Sequence, residues 1–249
     1  MTGTDAKQRL DALERSITEC RRCPRLVAWR EAVAADPPKR HRGEEYWARP
    51  VPGFGDPDAR ILIHGLAPAA NGGNRTGRPF TGDRSGDWLF AAIHRAGLSN
   101  QPESIDRGDG LRLRDTFVNA AVRCAPPGNR PNPSERDNCA PWLKDELGLL
   151  KEVRVVVALG GFAWESMLRT VRQLGGEVPA PKPKFGHEAE TVLKAPATAR
   201  WEGPARWILL GCFHPSPLNT STGRLSAGML DDVFARARVL AGLEAPPIA

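Results

Sequence analysis

Val153-Arg-Val-Val-Val-Ala-Leu-Gly-Gly161 is a nearly uninterrupted apolar run closed by two glycines. Successive branched aliphatic residues leave no polar face, which is the pattern of a strand buried on both sides in a parallel sheet. Phe162, Trp164, Met167, Leu168 and Val171 follow at helical spacing, so the stretch reads strand, glycine turn, helix. Three further apolar runs read as core strands: Arg60–His64, Thr116–Val122 and Trp207–Cys212. Glu190–Lys194 reads as an edge strand. Helices are expected between them. The first carries Leu10, Leu13 and Ile17 behind a cap at Thr4 or Asp5, and another starts at Ser85 or Asp87. A third lies around Cys139–Leu150, with Ser134 and Asp137 as its capping pair, and a last one covers Leu225–Leu243. Residues 36–58 and 174–204 are rich in Pro and Gly and read as loops. Strands alternating with helices predict an α/β fold, a parallel sheet with helices on both faces. No internal repeat or linker divides the chain, so residues 1–249 are read as a single domain.

In such sheets ligands bind beyond the carboxyl ends of the strands. The segments leaving those ends are Gly65–Gly86, Asn119–Cys124, Gly160-Gly161 and His214–Arg224. They are expected to converge on one cleft.

The 249 residues are 41% hydrophobic and 26% charged, which excludes disordered and collagen-like classes. No stretch approaches the ~18 apolar residues of a membrane helix, and the polar N-terminus has no secretory apolar core, so a cytoplasmic location is expected. Thirty-five basic against 29 acidic residues give a formal charge of +6. That excess permits an anionic partner without requiring one. Of the basic residues, 28 are Arg and 7 Lys, which suits either phosphate contact or simple codon bias.

Cys20 and Cys23 form a C-x2-C pair in an Arg-rich flank, while Cys124 and Cys139 form a second, wider pair. Four thiolates from two distant pairs can close a tetrahedral zinc site or hold an iron–sulfur cluster, and spacing leaves both open. Cys212 follows an apolar strand and reads as a packing residue. The loop Gly65-Leu-Ala-Pro-Ala-Ala-Asn-Gly-Gly-Asn-Arg-Thr-Gly-Arg-Pro-Phe-Thr-Gly-Asp83 is neither a dinucleotide-binding nor a Walker loop. Phe80 within it is either a core plug or a platform for a flat ligand. His214 is followed by Pro-Ser-Pro, a rigid turn able to hold a side chain in place.

The loop Gly65–Asp83, the strand Phe117–Cys124 with Pro126-Pro-Gly-Asn129, and His214-Pro-Ser-Pro-Leu218 together resemble the uracil-DNA glycosylase superfamily. The four cysteines narrow the resemblance to its iron–sulfur families, and Gly65-Leu-Ala-Pro-Ala looks like family 5. The resemblance implies a three-layer α/β/α fold around a four-stranded parallel sheet. It implies a 4Fe–4S cluster on Cys20, Cys23, Cys124 and Cys139, held in part by an N-terminal segment. It further implies a monomer that excises uracil and other deaminated bases, hypoxanthine among them, from double-stranded DNA by base flipping, leaving an abasic site. Ala67, Phe80, Asn119 and His214 are then expected at the base, with Phe80 stacking and Asn119 offering its carboxamide to the Watson–Crick edge. His214 donates to the departing base, Leu218 wedges into the duplex, and Arg224 meets phosphate. Where related families place a carboxylate or Asn, this chain has Leu66-Ala67, which leaves Asp83 as the acidic candidate for positioning water or as a helix cap. A non-catalytic Fe–S DNA-binding protein and a uracil-specific enzyme of the family 4 kind are the competing readings.

Overall fold

The structure is a computed structural model and describes residues 3–199 and 201–244. Its sheet has six strands: β1 (Phe54–Gly55), β2 (Ile61–Gly65), β3 (Thr116–Ala120), β4 (Val155–Leu159), β5 (Glu190–Lys194) and β6 (Arg206–Cys212). Their order is β1-β3-β2-β4-β6-β5. The inner four, β3, β2, β4 and β6, are mutually parallel. The expected four-stranded sheet is therefore too small. An antiparallel strand closes each edge, β1 on β3 and β5 on β6.

The helices are α1 (Gly3–Thr18), α2 (Pro24–Ala35), α3 (Gly73–Thr76), α4 (Arg84–Arg95), α5 (Pro133–Leu149), α6 (Gly161–Gln173), α7 (Pro217–Ser221) and α8 (Ala227–Ala241). Strand alternation sorts the core into two layers. Ile61, Ile63, Val155, Val157 and Leu159 pack against Leu89, Phe90 and Ile93 of α4 and Val233 and Phe234 of α8. Leu62, Val156 and Ala158 pack against Leu143 and Leu147 of α5 and Trp164, Met167 and Leu168 of α6. Trp164 and Phe234 are fully buried, so truncating either to Ala costs roughly 3–5 kcal/mol. None of the described helices is long and apolar enough to cross a membrane.

Several elements depart from the sequence expectation: α1 starts at Gly3, ahead of the expected cap at Thr4 or Asp5, α4 starts at Arg84 rather than at Ser85 or Asp87, and β1, α3 and α7 lie in segments read as loops. α2 follows Cys23 directly, with Pro24 at its first position, where the missing N–H costs nothing. α5 begins well before Cys139. Its cap is Asn132 rather than the expected Ser134–Asp137 pair, and the Glu135 carboxylate accepts the Asn132 N–H at 2.6 Å. Pro141 therefore lies inside α5.

Candidate active site

The loop from Leu66 to Asp83 leaves β2 at the carboxyl edge of the sheet and carries Phe80 in the left-handed region, at φ +51°. That conformation is strained for a bulky side chain and persists only where its surroundings hold it. Two glycines make room. A Cβ on Gly65 would come within 2.5 Å of the Phe80 ring, and one on Gly86 would strike the Phe80 carbonyl. Arg78, buried two residues earlier, supplies the grip. It forms a bidentate ion pair with Asp109, donates from Nη2 to Ser104 Oγ at 2.8 Å and from Nε to Thr81 Oγ1 at 3.0 Å. Burial opposes ionisation of Asp109, but the Arg78 hydrogen bonds and the Leu111 and Ile105 N–H groups outweigh it and hold the carboxyl at about 2. The segment 99–115, to which the sequence assigned no role, is thus the buttress behind Phe80.

His214 leaves β6 and meets Phe80, ring centroids 5.8 Å apart and planes tilted by 36°. Asn219 Nδ2 donates to the His214 carbonyl at 2.8 Å and closes the rigid turn. Burial lowers the His214 pKa to about 4, so the imidazole is neutral at pH 7 and still carries one N–H donor. Its Nδ1 is buried without a partner.

Asp83 caps α4. Its Oδ1 accepts the N–H groups of Ser85 at 2.9 Å and Gly86 at 3.1 Å. Burial raises its pKa against those hydrogen bonds. Its Oδ2 lies against Gly72, where any Cβ would collide with it. The carboxyl borders an open cleft of about 800 Å³, shared with Asn71, Gly72, Asn129 and Pro217. Asn129, quoted in the Pro-Pro-Gly-Asn motif but given no role, sits at φ +55° facing this cleft. Its signal was the Gly128-Asn129 pair, two residues that both tolerate a left-handed backbone.

The structure does not bring Asn119 to this group. Asn119 is the register partner of His64, whereas Phe80 packs on Gly65, so the Asn119 side chain points to the opposite face of the sheet. There its Oδ1 pairs with His64 Nδ1 at 2.6 Å and its Nδ2 donates to Glu146 Oε2 at 2.6 Å. Glu146 also pairs with Arg123, and all four residues are buried. The carboxamide expected to read a base makes one hydrogen bond through each of its polar atoms within this buried network. Burial lowers His64 to about 4, so the neutral ring donates from Nδ1 to Asn119.

Ala67 packs beside the cysteine layer rather than against Phe80. Leu218 lies in α7 and is 72% exposed, the most exposed large hydrophobic side chain among the described residues. The Arg224 guanidinium lies over the Phe213 ring, 4.7 Å from its centroid.

Cys20 lies between α1 and α2, Cys23 caps α2, Cys124 follows β3 and Cys139 lies in α5. All four pack in one layer with Ile17, Leu26, Val122 and Trp142. Burial raises Cys124 to about 11 and Cys139 to about 12. Each is raised further by neighbouring cysteines, Cys124 by Cys20 and Cys23, and Cys139 by Cys124 and Cys23. Arg30, itself buried, donates from Nη1 to Cys124 Sγ at 3.0 Å, and Asn138 Nδ2 donates to Cys23 Sγ at 3.5 Å. Among the described residues no three His, Cys, Asp or Glu side chains close to the spacing of a single metal ion. Cys212 is buried in β6, as expected of a packing residue.

Comparison with known proteins supplies the lineage. A "Type-5 uracil-DNA glycosylase" of Mycobacterium tuberculosis is 54% identical over 229 residues, covering 92% of this chain and 80% of its own. A protein of the same description from Thermus thermophilus is 51% identical, covering 94% of this chain and 99% of its own. A "Type-4 uracil-DNA glycosylase" of Pyrobaculum aerophilum is 36% identical but covers only 47% of this chain and 52% of its own. The sequence model of the "Uracil DNA glycosylase superfamily" matches residues 52–238, from the lead into β1 to near the end of α8. With that match and the full-length likeness to type-5 relatives, the chain belongs to the uracil-DNA glycosylase superfamily.

Proposed function

We propose that this protein is a DNA-repair enzyme of the type-5 kind. It hydrolyses the N-glycosidic bond of uracil and other deaminated bases, hypoxanthine among them, in double-stranded DNA, extruding the base and leaving an abasic site. The observation that carries the reading is the facing pair Phe80 and His214, on the two loops that also supply Asp83 and Pro217 to the lining of an open cleft. Cleavage of an N-glycosidic bond develops a cationic sugar and an anionic base. Phe80 supplies a stacking plane for the base. Neutral His214 donates its N–H to the developing anion without having to lose a proton first. Asp83, when ionised, faces the sugar cation and orients water, with Asn129 on the same cleft wall. Leu218 fills the space vacated in the duplex, and Arg224, whose guanidinium lies over Phe213, meets phosphate. The full-length likeness to type-5 relatives, against half-length likeness to type-4, favours this reading over a family 4 enzyme.

The cysteine layer fits a 4Fe–4S cluster. Four sulfurs from separate elements share one layer, and a buried guanidinium faces one of them. Cys20, Cys23, Cys124 and Cys139 would hold it. The bound group would supply a covalent staple between the α1–α2 corner, β3 and α5.

A base-release panel on duplexes containing uracil, hypoxanthine, xanthine and hydroxymethyluracil tests the activity. Free base with an intact, alkali-labile strand is the expected product. A folded, iron-loaded protein that binds duplex and releases no base leaves the non-catalytic DNA-binding reading in its place.

A further inference from the structure

The cleft that contains Asp83 does not end there. It continues to Trp29, Arg40 and His41, which lie on α2 and in the turn that follows it. α2 buries Leu26, Val27 and Arg30, and the same helical spacing turns Trp29 outward. Trp29 is 36% exposed, so part of its indole is open to solvent at the cleft. Large exposed hydrophobic side chains are few among the described residues. Two of them, Trp29 and Leu218, flank this one cleft, Leu218 next to the lining residue Pro217.

The cleft lining carries the acidic Asp83 and Asp87 and the basic Arg84, Arg40 and His41. Arg40 donates from Nε to His41 Nε2 at 3.1 Å, and the His41 ring is braced by Glu44 Oε1 at 2.8 Å. Glu44 is held in turn by Arg75 at 2.7 Å. This chain of contacts engages Arg40 through Nε only and leaves its two terminal guanidinium nitrogens available to a ligand in the cleft that Arg40 lines. Lys39 and Arg42 flank it in sequence and are exposed.

An aromatic plane and a braced Arg lining one cleft are the chemistry that holds a nucleotide, base on the ring and phosphate on the guanidinium. We propose that Trp29 and Arg40 form a second nucleotide subsite, which takes a nucleotide flanking the extruded one. Trp29 stacks on its base and Arg40 pairs with its phosphate. The inference rests on the proposed action on DNA and adds a place where the strand is gripped away from the reacting sugar. It accounts for a cleft that extends beyond the reach of Phe80 and His214.

The test uses the iron-loaded protein and a duplex carrying a tetrahydrofuran abasic analogue, on which no chemistry occurs. Affinity is measured over a salt series together with tryptophan emission. Trp29→Ala is expected to bind about ten-fold more weakly at an unchanged melting temperature, and Trp29→Phe to recover most of that loss. DNA-induced quenching of tryptophan emission should shrink in Trp29→Phe. Arg40→Ala should reduce the slope of log affinity against log salt by about one. Wild-type affinity in Trp29→Ala, or an unchanged slope in Arg40→Ala, overturns the subsite while leaving the glycosylase reading intact. A wild-type protein that binds no duplex overturns both.

Discussion

Phe80 and His214 meet ring to ring, 5.8 Å between centroids, although one leaves β2 and the other β6 with β4 lying between them. Parallel connectivity alone brings both to the same sheet edge. Neither position is relaxed: Phe80 sits at φ +51° and His214 keeps a buried nitrogen without a partner. Strain and unmet hydrogen bonding in one place are what a site shaped for a ligand displays.

The grip on Phe80 predicts an effect at a distance. Asp109→Asn leaves the buried Arg78 charge without its counter-ion, and breaking such a pair typically costs about 3–5 kcal/mol. Arg78→Met with Asp109→Leu removes both charges and should destabilise far less. Single-turnover base release is nevertheless expected to fall in the double variant, because Phe80 is freed to leave its strained conformation. Wild-type release in a stable double variant would show that the pair serves folding alone.

Asp83 and His214 divide the pH dependence between them. His214 titrates at about 4 and is neutral throughout pH 5–8, so it contributes no limb to the rate profile there. Asp83 is raised by burial and acts ionised, so release should fall as pH drops through its elevated pKa. Asp83→Asn should abolish that limb and depress release by orders of magnitude. The cap it provides costs only about 1 kcal/mol when weakened, so the melting temperature should move little. A near-wild-type rate in Asp83→Asn would reduce the residue to a cap.

The buried His64–Asn119–Glu146–Arg123 network predicts a stability effect of definite sign. His64 titrates at about 4 when folded, against 6.5 for a free imidazole. The unfolded chain therefore binds more protons between those values, and the stability that His64 contributes, at most about 3 kcal/mol, is lost as pH falls from about 6.5 to about 4, with His214, lowered alike, adding a loss of the same sign. Asn119→Ala leaves His64 Nδ1 without its acceptor and Glu146 with Arg123 alone, and should cost about 1–3 kcal/mol while leaving the order of lesion preference unchanged. Denaturant unfolding over a pH series, with a base-release panel on the variant, checks both. A reordered lesion preference in Asn119→Ala would return that residue to the base.

The cysteine layer predicts brown, iron- and sulfide-containing protein when purified without oxygen. Cys23→Ala should lose iron and solubility, and Cys212→Ala should lose neither, because Cys212 lies in β6 away from that layer. Iron and sulfide assays with the visible spectrum decide it. Stoichiometric zinc without iron would remove the cluster.

Buried parallel strands declare themselves in sequence because both faces are apolar. Val153–Leu159 and its neighbours were therefore legible, and so was the cleft at their carboxyl ends. β1 has two residues, too few for any period to show, and only its pairing with Phe117 and Val118 makes it a strand. α2 escaped because a Pro, two Arg and a Glu obscure its apolar face, one position of which is filled by buried Arg30. The Arg78–Asp109 pair joins two loops and leaves no local trace. Asn119 was placed at the base by the family resemblance of the strand Phe117–Cys124; its position at a strand end is equally that of a turn residue. Which face it takes depends on its register with His64, and register appears only in the folded sheet.

Single-turnover release of uracil from a duplex by the wild-type protein and by His214→Ala, with duplex affinity measured in parallel, tests the account most directly. The account predicts that the wild type yields free uracil and an abasic site, and that His214→Ala releases it on the order of 100- to 1,000-fold more slowly at nearly unchanged affinity. Equal rates in the two proteins, or no release by a folded wild type that binds the duplex, would contradict it.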